Sequence, residues 1–326
     1  MQLSAQASND VYKTPEHESV DGNRIFFPPK IDGTFKATLV VELNNEDGTQ
    51  VLMISIRGSA PKVIDWITNV NCDPVMDGNS FLVRQVYLLL YTMLILVVQP
   101  PLNDVGKGPV AIHNGFLRVA TSMASQVEQI LQQKATSLDD PSTVDLVFTG
   151  HSAGGAVAAL LFAHMLTPGM EEICSSKTAT TPGEVLTYAS TLGFHNVHCI
   201  TFGAPPIFTP SHLLEQYLPA SSLFISVINQ GDPIPRTDKL YLHALVDLYA
   251  QPVTGSTDQL WSAPPLTIFN AGTLVVLRIE DEEQPELDVH AYCIQAQDVQ
   301  GLLAVRLAMH KKRHYVEMVD AFVKRL

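Results

Sequence analysis

Val144-Asp145-Leu146-Val147-Phe148-Thr149-Gly150-His151-Ser152-Ala153-Gly154-Gly155 is the stretch whose reading decides the fold. Its first part, Val144 to Thr149, is a short apolar-rich run bounded by turn residues, the pattern of a strand covered on both faces. Gly150 to Gly155 reads as a turn. Ala156 to Leu166 is almost wholly apolar, as a helix enclosed by protein would be, and Pro168-Gly169 ends it. Gly150-His151-Ser152-Ala153-Gly154 therefore has the form G-x-S-x-G and joins a buried strand to a buried helix, the setting of a nucleophile elbow. The reason for the glycines is steric. A sharp strand-to-helix turn strains the central residue, lifts its hydroxyl clear of the sheet edge, and leaves no room for side chains on either side. The helix start behind Ser152 also favours negative charge there.

Working outward, Phe35 to Leu43 and Gln50 to Ile56 are β-rich, and Asn44-Asn45-Glu46-Asp47-Gly48 between them is a hairpin-turn signal. Gly115 to Lys134 carries Phe116, Val119, Ala120, Met123, Val127, Ile130 and Leu131 at helical spacing. Further strands are expected at His198 to Phe202, Leu223 to Asn229 and Leu274 to Ile279, and helical periodicity from Val299 to the C-terminus. Strands alternating with helices imply an α/β fold, a mostly parallel central sheet with helices on both faces. We read residues 35–326 as one domain and the polar, Pro-containing residues 1–34 as an N-terminal arm laid over it.

The 326 residues carry 20 Lys+Arg against 33 Asp+Glu, a formal charge of −13, with 46% hydrophobic and 16% charged residues. Such a chain can bury a large core, and its acidic balance argues against nucleic acid as a partner. Cys72, Cys174, Cys199 and Cys293 form no C-x-x-C pair and no cluster of zinc-ligand spacing. No metal, no cofactor and no obligate protein partner is expected. The start lacks a basic flank followed by an apolar run, and no N-x-[ST] occurs, which points to a cytoplasmic protein. Val86 to Val98 is uncharged, but as a helix it would span only about 20 Å, short of a hydrocarbon core of roughly 30 Å. A buried element or a lipid-touching flap fits it better than a membrane span.

A serine hydroxyl needs a base, and the base an orienting acid; on this fold they follow in the order Ser, Asp or Glu, His. Asp232 is the best-placed acid. It follows the strand ending at Asn229, at the edge where Ser152 stands, in a loop stiffened by Pro233 and Pro235. Asp238 and Asp247 are rivals on spacing. Among the later histidines, His243 follows too closely and His290 falls beside the acidic run Glu280 to Glu283. His310 and His314 remain, and chemistry alone does not separate them. His113 precedes the nucleophile, and His151 is expected to face away from the hydroxyl, so both are read as structural.

Several stretches between Val51 and Val316 together resemble the class 3, fungal-lipase-like family of α/β hydrolases. They are Ile56-Arg57-Gly58-Ser59, Asp65-Trp66-Ile67-Thr68-Asn69, His113-Asn114-Gly115-Phe116, the elbow, Thr201-Phe202-Gly203-Ala204-Pro205, Asp232-Pro233-Ile234-Pro235-Arg236, and His310 with Tyr315. The resemblance implies the α/β-hydrolase fold and a triad of Ser152, Asp232 and His310, with His314 as the alternative base. It also implies an oxyanion hole from the amide of Ala153 and from Ser59, with Gly150 and Gly154 shaping the elbow. The activity it implies is hydrolysis of carboxylic esters through an acyl-enzyme, on acylglycerols or related lipid esters, with transient contact to a membrane or lipid-droplet surface. A small-ester or feruloyl-type esterase, or a catalytically silent lipid-binding or signalling scaffold, are the alternatives. Residues 72–112 depart from the family pattern and are read as an atypical apolar insertion, a candidate lid. The basic run Lys311-Lys312-Arg313 is read as a solvated face that could touch anionic headgroups.

Overall fold

Alternate side chains of the central strand go to opposite layers. Leu146 and Phe148 join one apolar cluster, whereas Val147 joins another and Thr149 meets the N-terminal segment on the opposite face. Both layers are covered, so both sets must be buried. The structure, a computed structural model, describes residues 1–13, 23–30, 35–44, 48–58, 74–75, 111–166, 187–209, 214, 218–238, 240–241, 244, 264–280, 288–302 and 306–326.

Among the described residues an eight-stranded sheet runs in the order β1-β2-β3-β6-β7-β9-β10-β11. Its strands are β1 (Arg24–Phe27), β2 (Thr38–Asn44), β3 (Gln50–Ile56), β6 (Val144–His151), β7 (Asn196–Phe202), β9 (Phe224–Asn229), β10 (Thr273–Ile279) and β11 (Val289–Ile294). The remaining β4 (Pro74–Val75), β5 (Ala111–His113) and β8 (Phe208–Thr209) make a small antiparallel sheet of their own. From β3 to β10 every pairing in the large sheet is parallel, and β1, β2 and β11 add antiparallel edges. The β2/β3 pair is in register from Thr38↔Ile56 to Asn44↔Gln50, as the hairpin signal requires. The registers Ile56↔Gly150 and His151↔Phe202 bring the C-terminal ends of β3, β6 and β7 to one edge of the sheet. Loops leaving that edge are where such folds collect their chemistry.

Helices α2 (Asn114–Ser137) and α3 (Ala153–Met165) cover one face. All of α3 is buried, and its Gly and Ala residues let it lie close against the strands. His113 caps α2: its ring accepts the Phe116 N–H and lies on the Phe116 ring, a structural role as expected. The other face is covered by α5 (Lys312–Arg325), with Tyr315, Met318 and Val319 buried, and by α1 (Gln2–Asp10). The short α4 (Tyr188–Thr191) precedes β7.

One expectation is refined and one corrected. The N-terminal arm contains a helix, Gln2–Asp10, that lies on the sheet. Its small residues Ser4, Ala5, Ala7 and Ser8 are buried, and its carbonyls accept from the sheet: Ser55 Oγ donates to Ala7 O (3.0 Å) and Thr149 Oγ1 lies 3.4 Å from Ser4 O. The C-terminal helical run is also interrupted. Separate 3-10 turns at Ala296–Gly301 and Leu307–His310 precede α5. Among the described residues no helix is long and apolar enough to cross a membrane. The Val86 to Val98 segment lies outside the described residues, as do Cys72 and Cys174; Cys199 and Cys293 are free thiols.

Candidate active site

The strand-to-helix turn is tighter than the glycine pattern suggests. β6 ends at His151 and α3 begins at Ala153, so Ser152 alone carries the reversal, at φ 59° and ψ −134°. Among the described residues it is the one non-glycine residue with positive φ. A side chain held there costs about 1–3 kcal/mol and persists only where the surroundings enforce it. The Ser152 N–H donates to Phe202 O (2.9 Å), and the Gly155 N–H donates to Ser152 O (2.9 Å). A Cβ on Gly150 would sit 2.5 Å from the Gly154 backbone, and one on Gly154 would run into the Ile56 carbonyl. The two glycines of the motif are thus required by backbone meeting backbone.

Around this turn three distant side chains meet. His310 Nε2 lies 2.9 Å from Ser152 Oγ, and His310 Nδ1 lies 2.9 Å from Asp232 Oδ2. The carboxylate can only accept, so Nδ1 bears the proton and Nε2 is left to accept from the serine hydroxyl. Asp232 is buried and fully engaged. Its Oδ1 accepts the Ile234 N–H (2.9 Å), and its Oδ2 accepts the Tyr315 hydroxyl (2.6 Å) as well as His310. The Ala153 N–H is the first of α3, where no intrahelical acceptor exists. Ser59, the other expected oxyanion donor, lies outside the described residues, as does Trp66.

The competing residues go elsewhere. His314 sits half-exposed on the first turn of α5, 3.1 Å from Glu317. Asp238 is buried and ties a loop together, accepting the Tyr241 N–H (2.8 Å) and the Thr267 N–H (2.9 Å). His290 is in β11 and pairs with Asp288. Asp247 and His243 lie outside the described residues.

Three side chains support the site through contacts that the sequence reading did not assign. His151 does not touch the serine hydroxyl, but it is not idle. Its ring lies under that of His310, with centroids 4.6 Å apart. Its Nε2–H donates to the His310 carbonyl at 2.7 Å, which leaves Nδ1 as the acceptor facing the Tyr12 hydroxyl at 3.4 Å. Burial, reinforced by the neighbouring His310, pushes the His151 imidazole well below its ordinary range. The ring beneath His310 therefore stays neutral. Tyr315 holds Asp232 from below, and burial with the adjacent carboxylate raises its phenol well above the usual value, so it remains a donor. Asn229 donates through Nδ2 to Met309 O (3.1 Å), pinning the turn that carries His310. Adjacency to Ser152 was the signal available for His151; nothing local marked Asn229.

A family model for class 3 lipases matches residues 53–241, more than half of the chain. No curated protein sequence matches it. Among solved structures, the Rhizomucor miehei triacylglyceride lipase is similar over 95% of this chain and 90% of its own, at 14% identity and a TM-score of 0.51. A lipase from Yarrowia lipolytica is similar over 95% of this chain and 88% of its own, at 12% identity and a TM-score of 0.50. At such identity the structures speak for the fold, and the family model speaks for descent. The chain belongs to the class 3 lipase family, carboxylic ester hydrolases built on the α/β-hydrolase fold.

Proposed function

We propose that the protein hydrolyses lipid acyl esters through a covalent acyl-enzyme on Ser152. The observation that carries this reading is the continuous chain from Ser152 Oγ through His310 to Asp232, with two 2.9 Å contacts and the serine on a strained turn. His310 Nε2 takes the hydroxyl proton as Oγ adds to the acyl carbonyl. Negative charge then develops on the former carbonyl oxygen. The Ala153 N–H, with Ser59 as its partner, holds that oxyanion, an effect often worth several kcal/mol. Asp232 stays ionised and stabilises the imidazolium. His310 then hands the proton to the leaving alcohol, whose C–O bond breaks to leave the acyl-enzyme. Water, deprotonated by His310, repeats the addition and releases the acid. Family membership and the likeness to triacylglycerol lipases favour acylglycerols or related lipid esters as the class.

The test is Ser152→Ala assayed on p-nitrophenyl butyrate and dioctanoylglycerol, with fluorophosphonate labelling of the unaltered protein. Labelling at Ser152 is expected, and activity should fall by roughly three orders of magnitude or more in the variant. Turnover retained by Ser152→Ala would refute the assignment.

A further inference from the structure

The basic run before the last helix does not act as one solvated face. Lys311 and Arg313 are exposed, and Arg313 pairs with Glu317. Lys312 turns inward instead, its Nζ 3.7 Å from the centre of the Tyr12 ring. Tyr12 comes from the far end of the chain. It follows α1, whose buried small residues and carbonyls fasten it to the sheet, and the adjacent Val11 is fully buried in the cluster of Leu39, Val41 and Met53. The ring is thus delivered by an anchored segment.

Three parts of the reaction centre converge on that ring. At the end of β3, a Cβ built on Gly58 would run into the Tyr12 hydroxyl, and it would lie 2.6 Å from the His151 carbonyl and 3.4 Å from the Ser152 Cβ. The hydroxyl therefore fills the space beside the elbow that a side chain at position 58 would take. In the elbow itself, the His151 ring meets the Tyr12 ring edge-on, centroids 6.2 Å apart, and its Nδ1 lies 3.4 Å from the hydroxyl. From the His310 turn, Lys312 covers the ring face two residues after the histidine, a cation drawn to the ring's negative face.

His151 sets the direction of the contact. Its Nε2 bonds the His310 carbonyl at 2.7 Å, and a carbonyl only accepts, so Nε2 carries the proton and Nδ1 presents a lone pair inside the protein. A buried acceptor left bare is unfavourable. A phenol donating to Nδ1 therefore favours the tautomer that grips the His310 backbone over the one that would set a lone pair against the His310 carbonyl.

We propose that Tyr12 is a positioning residue for the triad: its hydroxyl, donated to His151 Nδ1, holds His151 in the form that fixes the His310 turn and so keeps His310 Nε2 on Ser152 Oγ. This rests on the ester-hydrolase reading above and specifies it further. The hydroxyl acts through His151, so its contribution belongs to the chemical step, in which His310 takes and returns a proton, and not to affinity for the ester.

The experiment uses Tyr12→Phe, which keeps the ring against His151 and Lys312 and removes the hydroxyl alone. On p-nitrophenyl butyrate kcat should fall about fivefold at unchanged KM, the share of one hydrogen bond. Fluorophosphonate labelling of Ser152 should slow by the same factor. Lys13→Gln, next in the chain and exposed, should leave both rates alone. With the histidine ring nitrogens isotopically labelled, the His151 Nδ1 resonance, identified by its loss in His151→Phe, should move downfield in Tyr12→Phe as its donor disappears. In a His151→Phe background, Tyr12→Phe should cost nothing further. An unmoved resonance would overturn the contact. An unmoved kcat, an equal fall in Lys13→Gln, or additive losses in the double variant would overturn the positioning role. A loss confined to KM would overturn it too, by making the hydroxyl a substrate contact. If the unaltered protein cleaves no ester and takes no fluorophosphonate label, the hydrolase reading fails by itself, and the resonance still decides whether Tyr12 holds His151.

Discussion

Tyr315→Phe removes one oxygen from a fully buried ring and leaves the packing against Phe202 and His151 in place. That oxygen has two duties. It donates to Asp232 Oδ2 at 2.6 Å, and it accepts the Asn229 N–H at 3.1 Å. Losing a donor to a buried carboxylate costs about 1.5–3 kcal/mol, and stranding a buried N–H adds about 1–3 kcal/mol. The two losses share one site and need not add fully, so a net destabilisation of about 2–4 kcal/mol is expected. Urea unfolding should show it as a lower midpoint at unchanged slope. The catalytic readout differs from that of a structural residue. With the phenol gone, the carboxylate keeps more of its charge for the imidazolium, and the acid limb of kcat/KM should move to higher pH. Activity at the optimum should survive far better than in Ser152→Ala, because His310 keeps both of its own contacts. A variant with the stability of the parent, within about 0.5 kcal/mol, and an unmoved pH profile would refute the role given to this hydroxyl.

Gly203 has φ +56°, and a Cβ there would lie 2.8 Å from both Asp232 Oδ2 and the Tyr315 hydroxyl. Gly203→Ala should therefore lower thermal stability, with about 1 kcal/mol from the backbone alone, and displace the carboxylate. Ester hydrolysis at the parent rate would contradict this. His151 gives a pH dependence whose sign follows from burial. The folded protein holds the imidazole neutral, while the unfolded chain takes a proton below about 6.5. Its contribution to stability is complete above that pH and is lost as the pH falls, by at most about 1.4 kcal/mol per unit. His151→Gln, which keeps an N–H donor for the His310 carbonyl, should flatten the unfolding free energy between pH 7 and 4. Parallel loss in parent and variant would show that the proton goes elsewhere.

Much of the site could be read from local pattern because local sterics impose it. Gly150 and Gly154 are dictated by backbone contacts within a few residues and to the adjoining strand end, and Ser152 is the residue between them. The parallel strands were legible as apolar runs because both of their faces are covered, and Asp232 because a strand end fixes which edge its loop leaves from. His310 and His314 could not be divided by residue chemistry. Four apart, they would share one face of an unbroken helix, and it is the break between Leu307–His310 and Lys312–Arg325 that sends them to different places. The N-terminal helix was hidden for the same kind of reason. Its serines and alanines look like a polar arm until the sheet supplies the donors for its carbonyls.

Composition and short-range pattern, then, determined the α/β architecture, the elbow and the strand-end position of Asp232, since each follows from excluded volume and burial within one element. Tertiary structure alone decided which imidazole reaches Ser152, that His151, Tyr315 and Asn229 support that contact, and that Lys312 turns inward to meet Tyr12. Those outcomes depend on contacts between segments far apart in the chain, in the His151–His310 case 159 residues, and no local spacing encodes a distance that only packing sets.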